Sequence, residues 1–274
     1  MNLRKLIADM RRLGYGIADA RARVCQDIVL KGIAESSLSR NVTIKGGVVM
    51  RSMSGDVRRA TQDIDIDFIR YSLSEEAIDR FLDSINCIED IMLERDGEIE
   101  DLNQQDYNGK RVFIKITDGL GYVIESKIDL GVHKHFEIEQ EEYCFDIAFD
   151  EKGASLLINS KEQMFVEKLR SLLKFGSFST RYKDIYDMYY HRNQMKIDGL
   201  DKCLSTYIFN DTGMRENSMQ DIVRRVDLVF SDASYKQRVD SSDKRWLDDD
   251  IDEIFCGICN FLIMLAGDGQ GEGL

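Results

Sequence analysis

Three aspartates, Asp63, Asp65 and Asp67, occupy every second position of one short and otherwise apolar segment. Side chains alternate between the two faces of a β-strand, so this spacing predicts three carboxylates on one face and a buried apolar face opposite. Like charges this close repel one another, which favours a divalent cation or another positive partner at the acidic face. Asp67 lies two residues beyond Asp65, about 6 to 7 Å further along the strand, so Asp63 and Asp65 are the predicted metal pair.

A glycine pair, Gly46-Gly47, stands between a predicted strand at 42–44 and a predicted helix at 48–53. Glycine lets a phosphate group come close to the backbone, and the free N–H groups at the start of a helix attract anions. Turns between strands and helices also use glycine for geometry alone, so the pair by itself is a weak signal. Followed by the acidic strand, it indicates a phosphate-binding turn beside a metal site.

A third carboxylate is expected from a neighbouring strand, and Asp129 is the best candidate. Segments 111–117 and 122–132 alternate as paired strands do, and they are joined by a tight turn at Asp118. Asp129 lies between two apolar residues and shares a strand face with Lys127. The competing interpretation of these acids is an exposed acidic strand face that binds no ligand.

Two features of the helical second half suit the same chemistry. Lys168 lies on the inward stripe of a predicted helix at 162–173, where it either extends to solvent or reaches a triphosphate across a cleft. Arg181 and Asp184 stand three residues apart on the next helix. They form either a surface ion pair or an arrangement in which Arg181 holds Asp184 in place for a role in the cleft.

The order of the elements predicts an α+β fold with three segments. Residues 1–159 form the sheet domain with two N-terminal helices, residues 160–266 form a helical bundle, and residues 267–274 form a flexible tail. The active cleft is then expected between the two domains. A loop or ragged hairpin is predicted at 96–109. The predicted helices are 3–13, 18–38, 75–85, 162–173, 198–209, 215–230 and 243–266, and short strands are predicted at 145–149 and 155–158.

The charge balance restricts how the chain can meet a polyanion. A formal net charge of −13 argues against a surface that binds nucleic acid everywhere, because such binding neutralises phosphates with Lys and Arg. A local basic patch is therefore required. For Arg170 and Lys174 an ordinary solvated surface is the preferred interpretation. The candidates are Arg51, Arg58, Arg59, Lys168, Arg170 and Lys174.

Cysteine usage and hydropathy favour a cytoplasmic protein. Six cysteines are spread through a chain too large to need disulfide staples, which indicates reduced thiols. Cys256 and Cys259 form a single CxxC in apolar surroundings, and we interpret them as buried helix residues rather than half of a zinc site. The charged N-terminal segment is neither a signal peptide nor a membrane span, and no run of about 18 to 20 apolar residues occurs.

Four segments, KGGVVMR, RRATQDIDIDF, EQMFVEKLRSL and RYKDIYDMYY, resemble in this order the AbiEii-type abortive-infection nucleotidyltransferases, a branch of the DNA polymerase β-like nucleotidyltransferase superfamily. The resemblance spans about residues 40–192. It implies a nucleotidyltransferase-type mixed sheet with flanking helices, followed by a C-terminal helical bundle.

The resemblance also implies roles for single residues. The superfamily often has Gly-Ser where this chain has Gly46-Gly47, so no serine hydroxyl is available there, and the loop before Asp63 is somewhat long. The third carboxylate is less fixed in this branch. The implied catalytic residues are Asp63, Asp65, Lys168 and Asp184; the cofactor-binding residues are Lys45, Gly46, Gly47 and Arg181; the metal ligands are Asp63, Asp65 and, as third carboxylate, Asp129.

By the same resemblance the chain is a Mg²⁺-dependent toxin of a bacterial toxin–antitoxin system for abortive infection and phage defence. It would transfer NMP from an NTP to an RNA such as tRNA, and its antitoxin need not bind it. One alternative is transfer to a small cationic molecule such as an aminoglycoside, which a strongly acidic cleft would favour. Another is a catalytically silent fold that binds nucleotide or a partner protein. The joint presence of Asp63, Asp65, Lys168 and Asp184 argues against silence.

Overall fold

A computed structural model of the chain describes residues 1–102 and 109–268. The chain divides into two compact units, Met1–Asn159 and Ser160–Leu274. Within the described residues, the first unit contains four α-helices and eight strands, and the second contains six α-helices.

The first unit is built on one mixed sheet. The strand order is β3-β5-β6-β2-β1-β8-β7, with β4 paired to β5 in addition. Strand β2 is parallel to β6 and β1 is parallel to β8, and the other pairs are antiparallel. The predicted α+β class is confirmed. The strands are β1 Val42–Lys45, β2 Ile64–Phe68, β3 Ile91–Arg95, β4 Glu100–Leu102, β5 Gly109–Asp118, β6 Val123–Val132, β7 Glu141–Ile147 and β8 Asp150–Ile158.

Helices of the first unit cover this sheet. Helix α4 begins where predicted because the Ser74 side chain accepts a hydrogen bond from the Ala77 N–H at 3.3 Å, and two glutamates in the first turn suit the helix dipole. Phe81 of α4 packs edge to face on Phe68 of β2, with ring centroids 5.1 Å apart. The helices are α1 Leu3–Arg12, α2 Ile17–Glu35, α3 Gly46–Ser54 and α4 Glu75–Ile85.

The apolar face of β2 is buried as the alternation predicted. Ile64, Ile66 and Phe68 have no exposed surface. Full burial of each such side chain contributes about 1.5 to 3 kcal/mol to stability. A one-residue register slip would move all three to the other face, so this burial fixes the acids of β2 on the opposite side.

Polar residues of α2 attach it to the β7–β8 hairpin. Arg23 Nη2 donates a hydrogen bond to the Asp146 carbonyl at 2.7 Å, and Asp27 Oδ2 accepts one from the Ala148 N–H at 3.0 Å. Asp27 and Arg23 also form an ion pair of 3.1 Å. Burial raises the pKa of Asp27 to about 7, although Arg23 acts in the opposite direction.

The second unit is helical, as its periodicity predicted. Ser160 caps α5 by accepting a hydrogen bond from the Gln163 N–H at 3.1 Å, and Phe165 of α5 packs edge to face on Phe261 of α10 at 5.5 Å. A π-helical turn, Ser205–Phe209, follows α7. The helices are α5 Lys161–Phe175, α6 Tyr182–His191, α7 Ile197–Leu204, α8 Met219–Phe230, α9 Ala233–Asp240 and α10 Ile251–Asp268.

Several predicted boundaries differ from the structure. Helix α8 begins at Met219 rather than 215, because Ser218 is its cap and accepts from the Asp221 N–H at 3.2 Å. Strand β3 and helix α9 were not predicted. The predicted loop at 96–109 contains β4, and its residues 103–108 lie outside the described part. The predicted tail 267–274 begins within α10, and residues 269–274 also lie outside it.

The cysteine prediction is wrong in one respect. All six cysteines lie in described residues and are free thiols. Cys256 and Cys259 are on α10 as predicted, but Cys256 is exposed and Cys259 is half-buried. The buried stripe of α10 instead follows Ile254, Ile258 and Leu262 at the i, i+4 spacing of a helix face.

Candidate active site

The acidic face of β2 carries three aspartates in three different environments. Asp63 immediately precedes the strand, is half exposed, and has its Oδ1 2.9 Å from Lys127 Nζ of β6. Asp67 is buried, and its Oδ1 lies 2.6 Å from Lys45 Nζ. The acid in the middle, Asp65, is paired with Lys45 in the antiparallel β1–β2 register.

The glycine turn lies directly against Asp65. Gly46 has φ +66°, and a Cβ atom at this position would overlap Asp65 Oδ2. At Gly47 an added Cβ would lie 2.7 Å from the Cβ of Thr61, which is closer than two carbon atoms can approach. Both glycines are therefore required because the chain between β1 and α3 passes this close to Thr61 and Asp65.

The carboxyl group of Asp65 lies among three other acids. Burial raises the pKa of its carboxyl group to about 6; Lys45 acts in the opposite direction, and the neighbouring acids Asp129, Asp63 and Asp67 raise it further. The direction of this shift means that a nearby cation would stabilise the ionised carboxylate.

Asp129 lies beside Asp65 but is held by an arginine. The parallel register of β2 and β6 pairs Asp65 with Asp129. Arg111 of β5 donates from Nε to Asp129 Oδ1 and from Nη2 to Oδ2, both at 2.8 Å. A bidentate pair of this kind fixes the carboxylate more firmly than a single ion pair does.

A second cluster lies within the helical unit, around Lys168. The Nζ atom of Lys168 is 2.9 Å from Asp184 Oδ1 and 2.9 Å from Asp187 Oδ2. Asp187 has no exposed surface, and its Oδ1 accepts a hydrogen bond of 3.1 Å from Trp246 Nε1. The predicted pair Lys168 and Asp184 is thus brought together on α5 and α6. The prediction that this cluster shares a cleft with Asp63 and Asp65 stays a prediction.

Arg181 does not hold Asp184. It is an exposed residue preceding α6, and its contact with Asp184 is a backbone hydrogen bond of 3.1 Å from the Asp184 N–H to the Arg181 carbonyl. Within the part of the chain that the structure describes, the Arg181 side chain forms no ion pair. Lys168 forms the ion pair with Asp184 that the sequence suggested for Arg181, because its four-carbon side chain reaches Asp184 from the neighbouring helix.

The predicted basic patch is wrong for two of its members. Arg51 and Arg59 are only 2% and 3% exposed, and Arg58 is paired with Asp56 at 2.9 Å. Arg51 is on α3, whose residues Val48 to Arg51 are all buried. Because α3 packs against β1 and β2, this stretch of the helix has no solvated face on which a patch could form.

A comparison with protein families identifies the family of the chain that carries both clusters. Residues 28–253 match the family described as nucleotidyl transferase AbiEii toxin, type IV TA system. The chain belongs to the AbiEii family. The match runs from α2 into α10 and so includes both the acidic strand and the Lys168 cluster. The AbiEii chain is accordingly a nucleotidyltransferase toxin of the type IV toxin–antitoxin class, and the resemblance inferred from its sequence is confirmed.

Two further findings concern the AbiEii chain. The search of curated proteins gave no match. No helix in residues 1–102 and 109–268 is long and apolar enough to cross a membrane.

The donor set of the AbiEii site fits a hard cation bound by two carboxylates. Asp63 and Asp65 carry carboxylate oxygens of the kind that Mg²⁺ takes together with substrate phosphates, and their role as metal ligands stays a prediction. Among the described residues, no three His, Cys, Asp or Glu side chains are arranged to hold a metal ion. Asp129 stays a predicted third ligand, since Arg111 engages both of its oxygens, whereas Lys127 lies 2.9 Å from one oxygen of Asp63, Oδ1.

Sequence reasoning missed the basic partners of the AbiEii acids. The predicted hairpin could have revealed Arg111. A tight turn between 118 and 122 fixes the register of the two strands and places Arg111 opposite Asp129. Lys127 was recognised only as a neighbour on the same face. Asp187 and Trp246 gave no signal, because 59 residues separate them.

Proposed function

We propose that this AbiEii chain transfers a nucleoside monophosphate from an NTP to an RNA such as tRNA, with Mg²⁺ bound by Asp63 and Asp65. The observation that supports the proposal most directly is the contact between Asp65 and the Gly46 turn. It brings a pair of hard oxygen donors next to the start of a helix, where phosphate groups are favoured.

The reaction is an in-line displacement. A hydroxyl oxygen of the acceptor attacks the α-phosphorus, the bond to pyrophosphate breaks, and the hydroxyl proton is lost to solvent. When bound, Mg²⁺ neutralises charge on the phosphate oxygens and lowers the pKa of the attacking hydroxyl. The phosphates are proposed to bind at the first turn of α3, which begins at Gly46, because the N-terminus of a helix attracts anions.

The charges around the site give a cationic acceptor no strong advantage. Among the described residues, the four acids on and beside β2 are accompanied by three bases, Lys45, Arg111 and Lys127. The local charge is therefore close to neutral. An aminoglycoside-like acceptor would gain little from such a surface, whereas an RNA acceptor is not repelled by it.

Lys168 and Asp184 complete the proposal within the helical unit. We assign Lys168 to the triphosphate because a lysine held by two carboxylates keeps its charge and can exchange one carboxylate for a phosphate oxygen. Asp184 orients it. The antitoxin expected for this family need not bind the toxin, and a cytoplasmic location suits both the RNA acceptor and six free thiols.

The decisive experiment measures label transfer. Purified protein, Mg²⁺, total tRNA and each α-labelled NTP in turn should give labelled RNA, and chelation of the metal should abolish it. Asp65→Asn should lose at least about 100-fold in rate, because it removes a charge that acts in the transition state. It should not unfold more easily near neutral pH, because burial already disfavours the Asp65 charge.

Asp79→Asn is the matched control and should keep full activity, because Asp79 is a half-exposed acid of α4 paired with Arg95 at 3.4 Å and is not part of the candidate site. Labelled aminoglycoside in place of labelled RNA would support the small-molecule alternative. Labelled RNA from neither total tRNA nor total RNA, together with normal growth on overexpression, would refute the RNA-directed toxin.

A further inference from the structure

The segment that joins α5 to α6 exposes two aromatic rings. Phe178 is 90% exposed and Phe175 is 50% exposed. Among the large apolar side chains of the described residues, Phe178 is the most exposed. Isolated apolar residues on a surface are common, but an aromatic ring with nearly all of its area in water suits a partner that covers a flat face.

The backbone beneath Phe178 is held in place. Gly176 has φ +56° and donates its N–H to the Leu172 carbonyl at the end of α5. Arg238 Nη2 donates to the Ser177 carbonyl at 2.6 Å, and a 3₁₀ turn spans Gly176–Phe178. The ring is therefore presented by a fixed turn, so little ordering entropy opposes binding there.

The same segment carries only basic charges of its own, although acids adjoin it: Asp184 follows it and the Asp232 side chain hydrogen-bonds to Ser177. Residues 174–183, KFGSFSTRYK, contain Lys174, Arg181 and Lys183 and no acid, in a chain whose net charge is −13. Arg181 is exposed and its side chain forms no ion pair within the described residues. An exposed aromatic ring within a basic segment is the combination by which proteins bind single-stranded nucleic acid, since bases stack on the ring and phosphates meet the cations.

We propose that the Phe178 segment, residues 174–183, binds a single-stranded stretch of the acceptor RNA. One base stacks on Phe178, and Arg181 contacts an adjacent phosphate. The proposal rests on RNA being the acceptor, as proposed above, and adds the surface that holds it. A protein partner fits less well, because a specific protein interface needs a broader apolar core than one exposed turn offers.

The test is RNA binding measured apart from catalysis. Fluorescence anisotropy with a labelled single-stranded RNA of about 12 nucleotides gives the dissociation constant of the full-length protein. Phe178→Ala should weaken binding about 5- to 100-fold, and Phe178→Trp should restore it, because stacking on an aromatic ring is sequence-tolerant. Arg181→Gln should reduce the slope of log K against log salt by about 0.7.

Leu228→Ala is the matched control, since Leu228 is 61% exposed on α8 of the same unit and carries no aromatic ring. It should bind RNA like the wild type. A second control uses an RNA with an abasic site at each position in turn. At the stacked position, the wild type and Phe178→Ala should then bind with equal affinity.

Three results would overturn the proposal. Unchanged affinity of Phe178→Ala, with label transfer to RNA intact, would refute this surface and leave the proposed function standing. Failure of the wild type to bind RNA would refute the surface, and absence of label transfer in the same preparation would refute the proposed function as well. A Phe178→Ala defect confined to capture of another protein would assign the ring to a protein partner and also reject the proposal.

Discussion

Gly46 offers the sharpest test of the site geometry, because a second glycine serves as its matched control. Gly46 has φ +66° and Gly55 has φ +65°, so alanine at either position must adopt a positive φ that residues with a side chain rarely adopt. The surroundings differ. A Cβ at Gly46 would overlap Asp65 Oδ2, whereas a Cβ at Gly55 would meet no atom within 4 Å.

The expected loss of stability follows from this difference. Alanine in the left-handed region costs about 1 to 2 kcal/mol, part of which is offset by the reduced entropy of the unfolded chain. Gly55→Ala should therefore lower the free energy of unfolding by about 1 kcal/mol. Gly46→Ala must also displace Asp65 or bend the turn, which adds about 1 to 3 kcal/mol.

Urea unfolding of both variants measures these losses, and label transfer to RNA measures the effect on the site. Gly46→Ala should reduce transfer at least about tenfold, because a shift of Asp65 misplaces one oxygen donor. Gly55→Ala should keep its activity. Equal losses of stability and equal activities in the two variants would show that Asp65 does not pack on the glycine turn.

Two further predictions concern buried charges in the first unit. The raised pKa of Asp27, about 7, means that folding takes up a proton, so the free energy of unfolding falls as pH rises from about 4 to 7. Relative to the wild type, Asp27→Asn should gain about 2 to 4 kcal/mol across that interval. Urea unfolding at about pH 5 and 8 measures this gain, and parallel pH profiles of the two proteins would contradict it. Arg51 is buried with none of its three guanidinium nitrogens hydrogen-bonded among the described residues, so Arg51→Met should raise the free energy of unfolding by about 1 to 3 kcal/mol, and a less stable variant would reveal a partner for the guanidinium.

Local signals in the sequence predicted the central elements well. The alternation of β2 was readable because one face is fully buried, and α4 was placed correctly because its cap, Ser74, is adjacent in sequence. Strand β3 was missed because it is a short edge strand with a single buried residue, Leu93, so its alternation is too brief to be distinctive. Its existence depends on pairing with β5, which no local pattern encodes.

The candidate site was predicted in its acids but not in the bases that hold them. Residue type and spacing predict that Asp63 and Asp65 share one strand face, which needs only local geometry, and their role in the site stays a prediction. The ion pair of Asp129 with Arg111 depends on strand register, and the two partners of Lys168 depend on helix packing. Such contacts are set by tertiary structure, which a single sequence specifies without displaying.

The hydrogen bond from Trp246 to Asp187 gives the protein a built-in optical reporter. Trp246 is the only tryptophan of the chain and is almost fully buried, so the tryptophan fluorescence of the folded protein arises from one environment. Its indole is joined through a single carboxylate to the ammonium group of Lys168. In the proposed role of Lys168, a bound nucleotide draws it away from Asp187 and changes the electric field at the indole, so we expect nucleotide binding to change the intrinsic fluorescence.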